Sequence, residues 1–416
     1  MRKTDAAASN VANHDEEPEQ FFDAQFRDSK GRVVAAPDFA ALIGPGTEAE
    51  VDAGDVRGSS PGDNAGLEQQ DAKEQASRLR IADTHCHLDM LHHPELSLAR
   101  CAVHGVDYLV SVVDPTEDPA YTFGSLANWL QEAAKLLSTE GFSQIASERL
   151  ATSRNTGDNP AEQRDGGYAS DSALCDDAPG GIPRNDAPRM EGLLPDVHLM
   201  IGCHPHNAKD YNTEIESLLI KYAKDPRTVA VGEIGLDYYY DQSPRQIQRE
   251  VFARQLELAQ ELNLPVALHL REAHDEGFEI LERVGWPEAG CLLHCYTLGP
   301  KPMQPFLERG CYLAFGGTLT FKKAEDVRAA AIVAPLERIV TETDAPFMTP
   351  HPLRGTVCGP EHTIFTAALL AELHSEAGIP AGDVLKQLYT NARVFFGGLQ
   401  PKAECPKTRI GNRDGL

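Results

Sequence analysis

The sequence predicts an α/β protein built as a (β/α)8 barrel, with a disordered N-terminal segment and a long surface insertion. Three observations predict it. Short apolar, β-branched runs alternate with helical stretches along the chain. The runs are continuously apolar, as in a parallel sheet covered on both faces. Eight of them fall within roughly 260 residues, the usual size of such a barrel. A doubly wound open sheet is the competing arrangement, and neither a GxGxxG nor a Walker A loop is present to support it.

In chain order, the predicted strands are Ile81–Thr84, Tyr108–Val113, His198–Cys203, Val229–Ile234, Pro265–His269, Cys291–His294, Cys311–Phe315 and Ile339–Thr343. Helices are predicted at Ala120–Leu137, Asn212–Lys224, Pro244–Leu262, Ala273–Val284 and Lys322–Ala331. Residues 1–78 are rich in Asp, Glu, Ala, Gly and Ser with weak patterning, so a disordered extension is expected. A mildly apolar stretch around Phe21, Phe22 and Phe26 is a candidate docking motif within it. Residues 138–194 carry loop chemistry, including Asn155-Thr156-Gly157-Asp158-Asn159-Pro160, over a length too great for an ordered barrel loop. They are read as a low-complexity insertion in a catalytic domain spanning 79–398, and 399–416 as a flexible tail.

Composition narrows the function classes. The chain has 416 residues, 38 Lys and Arg, 63 Asp and Glu, and a net charge of −25. Blanket electrostatic attraction to nucleic acid is excluded, so any such contact must be local. Nine cysteines, an odd number without a CxxC pair, do not form a secreted disulfide framework. No apolar leader follows Met1-Arg2-Lys3, and no run approaches the roughly 18 apolar residues that span a bilayer. A cytoplasmic protein is expected, with the nucleus as the alternative and no membrane partner.

The chemistry-bearing residues recur at strand ends, where barrel active sites form. The first run ends Asp83-Thr84-His85-Cys86-His87, and strand alternation puts His85 and His87 on one face. Two imidazoles so placed suit one metal ion. Glu233 sits in a Gly-flanked apolar strand, where a carboxylate needs a partner or a metal. A structural salt bridge is the plainer alternative there. His269 and His294 each end an apolar run on neighbouring strands. Asp344 ends the eighth run two residues before Pro346. It suits metal ligation and proton acceptance from water, with a turn cap as the alternative.

These strings resemble a known family. Asp83–Asp89, Gly202-Cys203-His204-Pro205-His206, Gly232–Tyr239, His269-Leu270-Arg271, His294-Cys295-Tyr296-Thr297 and Glu342-Thr343-Asp344-Ala345-Pro346 look like the TatD-type metal-dependent deoxyribonucleases of the amidohydrolase superfamily. Asn391-Ala392-Arg393 with Phe396-Gly397 is similar to that family's closing helix. The resemblance covers about 81–398. It implies a TIM barrel with two divalent cations, Mg2+ foremost and Zn2+ or Mn2+ as alternatives. It assigns His85, His87 and Asp344 to one ion, His269 and His294 to the other, and Glu233 as the bridge. It further implies phosphate contacts from His204, His206 and Arg271, and DNA as substrate, often cleaved as an exonuclease. Two local departures stand out: Leu298-Gly299 after Thr297, where the family has Gly directly, and Cys358-Gly359-Pro360 where relatives carry Asn-Glu-Pro.

The expected reaction is hydrolysis with Asp344 accepting a proton from water and Glu233 joining two cations, which polarise the phosphate. Arg271 with His204 or His206 would neutralise developing charge. Two other readings remain at this point: hydrolysis of small esters, lactones or amides by the same metal pair, and a non-catalytic scaffold. Lys322 and Lys323 after Gly316-Gly317 are further candidates for phosphate contact, and Tyr238, Tyr239 and Tyr240 for stacking on a base.

Overall fold

The computed structural model describes residues 22–44, 79–154 and 190–397. A hairpin of β1 (Phe26–Arg27) and β2 (Val33–Val34) precedes the short helix α1 (Phe39–Ile43). The barrel follows: β3 (Ile81–Cys86), α2 (Pro94–His104), β4 (Val106–Val113), α3 (Pro119–Leu136), α4 (Ser143–Arg154), β5 (Asp196–Ile201) and α5 (Thr213–Ala223). It continues with β6 (Thr228–Asp237), α6 (Arg245–Leu262), β7 (Val266–Arg271), α7 (His274–Val284), β8 (Cys291–Leu293), α8 (Pro300–Glu308) and β9 (Tyr312–Phe315). Helix α9 (Glu325–Val333), β10 (Ile339–Thr341), α10 (Thr363–Glu376) and α11 (Ala381–Phe396) complete it.

Strands β3 to β10 form one sheet in sequence order, every neighbouring pair parallel. The first and last strands meet. Cys86 bridges Ala345, and the Thr341 hydroxyl donates to the Ala82 carbonyl at 2.7 Å. The sheet is therefore a barrel, as the eight apolar runs predict.

Alternation sorts each strand between two cores. On β4, Tyr108, Val110 and Val112 point into the barrel with Ala82, Met200, Ala230, Ala267, Leu292, Ala314 and Val340. Leu109 and Val113 pack outward under the helices. The barrel centre is thus a filled core rather than a pore. Phe395 and Phe396 of α11 join the inner cluster. Asn391 Nδ2 fixes that helix by donating to the Leu336 and Ile339 carbonyls, both at 2.7 Å. The end near the start of β10 is closed by these contacts, so the opposite, C-terminal mouth is left for chemistry.

Local chemistry explains the helix starts. Asp118 caps α3 by accepting from Tyr121 N, and Asn212 caps α5 by accepting from Glu214 N and Ile215 N. Periodicity missed helices α1, α2, α4, α8 and α10, and α11 was expected only from the resemblance. Helix α8 contains Pro300, Pro302 and Pro305, which obscure a helical pattern. Helix α10 is buried on most faces and shows no amphipathic stripe.

Two segments depart from the expectation of disorder. Within 1–78, residues 22–44 lie against the barrel. Phe26 is 3% exposed and packs on the rings of His104, His362 and Phe365 at 4.4, 5.5 and 5.2 Å. His104 Nε2 donates to the Ala24 carbonyl at 2.7 Å, and Arg100 Nε to that of Asp23 at 3.0 Å. Phe26 is thus the anchor of the apolar stretch, Phe22 is half exposed, and Phe21 lies outside the described residues. Within 138–194, the first part folds as α4, with Phe142 and Ala146 buried. The rest of that insertion up to residue 189, and the tail beyond 397, lie outside the described residues.

Candidate metal centre

All six predicted ligands reach the C-terminal mouth of the barrel. The ends of β3 and β10 are pinned together by Asp83, which accepts from Thr343 Oγ1 at 2.6 Å, Thr343 N at 2.9 Å and His85 N at 3.2 Å. Backbone bonds from Asp344 N to the His85 carbonyl (2.8 Å) and from His87 N to the Ala345 carbonyl (2.7 Å) continue the lock. As a result His85, His87 and Asp344 share one side, with Asp344 Oδ1 lying 3.7 Å from His85 Nε2 and 3.6 Å from His87 Nε2.

Glu233 stands at the middle. Its register with β7 is broken between Val231 and Ile234, which places the irregularity on this residue. Glu233 Oε2 lies 3.2 Å from His85 Nε2; Oε1 lies 3.4 Å from His294 Nε2 and 3.6 Å from His204 Nε2 and also contacts His269 Nδ1. Four donor groups result among the described residues, each with its ligand atoms within 4.8 Å of one another: His85–His87–Asp344, His85–Glu233–His294, His204–Glu233–His269 and, behind them, His294–Cys295–Glu342. His294 stacks on His85 with ring centroids 3.5 Å apart. Of the expected phosphate contacts, His204 stands at ligand distance beside His269, at 3.2 Å between ring nitrogens.

Outside this set, carboxylates orient the imidazoles. Glu342, fully buried, accepts from His294 Nδ1 at 2.9 Å and from Cys295 N at 2.7 Å. Asp237 faces His206 Nε2 at 2.9 Å and His269 Nε2 at 3.1 Å. Asp114 accepts from His204 N at 2.9 Å and Asn207 Nδ2 at 3.1 Å. Sequence reasoning assigned none of these three. Glu342 and Asp237 were within its reach, because each stands an even number of residues from a ligand on the same strand: Asp344 and Glu233. Asp114 carries no such signal. Arg271 does not enter the cluster; its guanidinium lies over the rings of Tyr239 and Tyr240 at 4.2 and 4.6 Å.

The electrostatics favour a cation. Burial alone would raise Glu233, but His294, His204, His269 and His85 hold it well below the ordinary carboxylate range. Burial likewise opposes the charge on His269 and His294, yet the surrounding carboxylates raise them to about 9 and about 10. The pocket thus draws in protons to balance its negative charge. His85 behaves differently: burial and the nearby His294 lower it, so it is a neutral imidazole. It is fully buried, and neither ring nitrogen has a hydrogen-bond partner. An orphaned neutral imidazole facing two carboxylates is what a bound divalent cation would satisfy. The residues therefore fit a metal site on the Nε2 side of His85, which faces Glu233 and Asp344.

A parallel barrel with a histidine and carboxylate pocket at its C-terminal mouth defines a class: the metal-dependent hydrolases. Residues 82–397 match the family model described as TatD related DNase, and the chain belongs to that family. It is 38% identical over 177 residues to an uncharacterized metal-dependent hydrolase, YabD, of Bacillus subtilis, covering 42% of this chain and 69% of that one. It is 32% identical over 197 residues to the 3'-5' ssDNA/RNA exonuclease TatD of Pantoea vagans, covering 47% and 76%. Among solved structures, the YjjV protein of Escherichia coli K12, a TatD homolog, superposes with a TM-score of 0.56 at 23% identity, covering 77% of this chain and 98% of that one. That likeness agrees with the barrel. No helix among the described residues is long and apolar enough to cross a membrane.

Proposed function

We propose that the chain removes nucleotides from single-stranded DNA or RNA by hydrolysing phosphodiester bonds, with two divalent cations, Mg2+ in action, held by His85, His87, Glu233, His204, His269, His294 and Asp344. One observation carries the reading: candidate ligands on β3, β6 and β7 and on the loops after β3, β5, β8 and β10 gather around Glu233 at one mouth of the barrel. Imidazole and carboxylate donors also accept Mn2+ and Zn2+, so the metal is a matter for a titration series.

When bound, the cations supply polarisation of the phosphate and activation of water. The chain's own residues do the rest. Asp344, kept ionised against the effect of burial by the neighbouring imidazoles of His87, His294 and His85, stands ready to accept the attacking water's proton. Arg271, held between two tyrosines, presents a fixed cation to the phosphoryl oxygens. His206, oriented by Asp237, adds a donor. Charge development at phosphorus is thereby met by groups already in place.

The catalytic unit on this reading is 79–398, with 138–194 inserted between β4 and β5. Seven described cysteines are unpaired, which favours a reducing compartment such as the cytoplasm. The test is a nuclease assay on purified protein with a metal series and an EDTA control. His87→Ala and Asp344→Ala should each abolish metal-dependent cleavage of single-stranded DNA while the fold survives. Wild-type turnover in both variants would overturn the assignment.

A further inference from the structure

The loops after β9 and β10 form a second surface on the catalytic face. They pack on each other: a Cβ at Gly317 would collide with the Met348 carbonyl, and His351 N donates to Thr320 Oγ1 at 2.7 Å. The Arg354 guanidinium lies 3.9 Å over the Phe321 ring, beside Lys322 and Lys323. Lys322, Lys323 and Arg354 are exposed. None of the three pairs with a carboxylate among the described residues, and Arg354 Nη1 donates to the Thr349 carbonyl at 3.2 Å. Three exposed basic residues close together on the active face make a local cationic patch on a chain with net charge −25.

This surface is continuous with the pocket. Phe347, on the same loop as Arg354, is 49% exposed and its ring centre lies 6.3 Å from that of the ligand His87. Across the mouth, the loop after β6 presents Tyr239 and Tyr240, also about half exposed. Strands β6 and β10 are four apart in an eight-stranded barrel, so these loops face each other over the pocket. The mouth therefore has an aromatic rim on one side and an aromatic and cationic rim on the other.

We infer that Lys322, Lys323 and Arg354 form a phosphate-tracking subsite that holds a single nucleic-acid strand beyond the nucleotide being cleaved. Aromatic faces on both rims favour nucleic acid over an acidic peptide, because bases stack and carboxylates do not. The inference rests on the function proposed above and adds a property to it: affinity should grow with strand length.

The experiment measures binding of labelled oligothymidylates of about 3 and about 12 nucleotides to the full chain in EDTA, which prevents cleavage, over a salt series. The expected wild-type result is a clear advantage for the longer strand. Lys322→Ala/Lys323→Ala, which leaves Arg354 on Phe321, should reduce that advantage about tenfold and lower the salt slope by about 1.4, two single-strand phosphate contacts. Adding Arg354→Ala should reduce both further. A thermal melt of each variant verifies folding, and the short strand serves as internal reference. If wild type shows the length advantage and the double variant keeps it in full, the subsite is refuted while the nuclease reading stands. If polyglutamate competes as well as the long strand, the surface is a peptide site and the inference falls. If wild type neither prefers the longer strand nor cleaves it with metal, both readings fall together.

Discussion

Glu342 makes the sharpest test of the metal pocket, because it lies behind the expected ligands and reaches the pocket through His294 and the Cys295 backbone. Its carboxylate can only accept, so it keeps a proton on His294 Nδ1; Nε2, 3.4 Å from Glu233, is then the nitrogen that would give up its proton and offer a lone pair to a cation. In Glu342→Gln, the amide oxygen can still accept from Cys295 N, leaving the NH2 to face His294 Nδ1. A neutral His294 then carries its proton on Nε2 and presents no lone pair to a cation. Loss of such an orienting partner typically weakens metal binding 10–100-fold, about 1.4–2.7 kcal/mol. Mn2+ titration by calorimetry should show that loss in one class of site, with cleavage of single-stranded DNA falling in parallel and restored in part by excess metal. The metal-free protein should lose some stability, because Glu342 is the main charge raising buried His294, so circular dichroism of the variant verifies that it folds before titration. Unchanged metal affinity in a folded Gln variant would refute the tautomer argument and His294's place as a ligand.

Three further outcomes follow from the structure. Phe26→Ala removes the anchor of the N-terminal hairpin; an aromatic deletion at a buried site costs about 3 kcal/mol or more, so residues 22–44 should become protease-sensitive while cleavage of DNA persists. His104 gives that hairpin a pH dependence. Burial, with Arg149 and Arg100 adding to it against the bond to Ala24, lowers the imidazole to about 4. The unfolded chain, near 6.5, then takes up the proton first, so stability is full above about 6.5 and falls toward pH 4 by up to about 3 kcal/mol. Thermal melts across that window should show the slope, and His104→Gln should flatten it; an equal slope in both would remove His104 as the source. Tyr239→Ala and Tyr240→Ala should each raise KM for single-stranded DNA roughly tenfold through lost stacking and a loosened Arg271, with kcat less affected.

Most of the barrel was legible because its strands are buried on both faces and therefore read as short apolar runs. Each of the eight runs overlaps an observed strand, with ends shifted by a few residues, as at Thr228–Asp237 against Val229–Ile234. The six candidate ligands stood out for a related reason: a histidine or carboxylate ending an apolar run has no cheap structural excuse. What sequence could not show was the grouping around Glu233. The resemblance implies one role for His204, at the phosphate, but the loop after β5 brings its Nε2 to Glu233 and His269. That proximity depends on Asp114 gripping the His204 backbone, a contact 90 residues distant in sequence. The docked hairpin was hidden for the opposite reason. Its burial rests on Phe26 and Ala24 alone, too few residues to set a period.

A chain with 63 acids against 38 bases is a poor general attractant for a polyanion, and the placement of its charges answers the difficulty. At physiological ionic strength a charge is felt over about 8 Å, so acids on distant faces weigh little at the mouth. Within that radius the signs are sorted by depth. Carboxylates lie deepest: Glu233, Glu342 and Asp237 are all buried, where they face the imidazoles. Imidazoles form the next layer. Arg271 lies half-buried over its tyrosines, and Lys322, Lys323 and Arg354, which pair with no carboxylate among the described residues, stand exposed on the rim. A phosphodiester arriving from solvent meets the outer positive layer first. It is drawn on toward the pocket only if cations already neutralise the carboxylates below. Oligonucleotide affinity should therefore rise with added divalent metal at constant ionic strength, measured with Ca2+ to slow cleavage; metal-independent affinity would show that the rim alone governs capture.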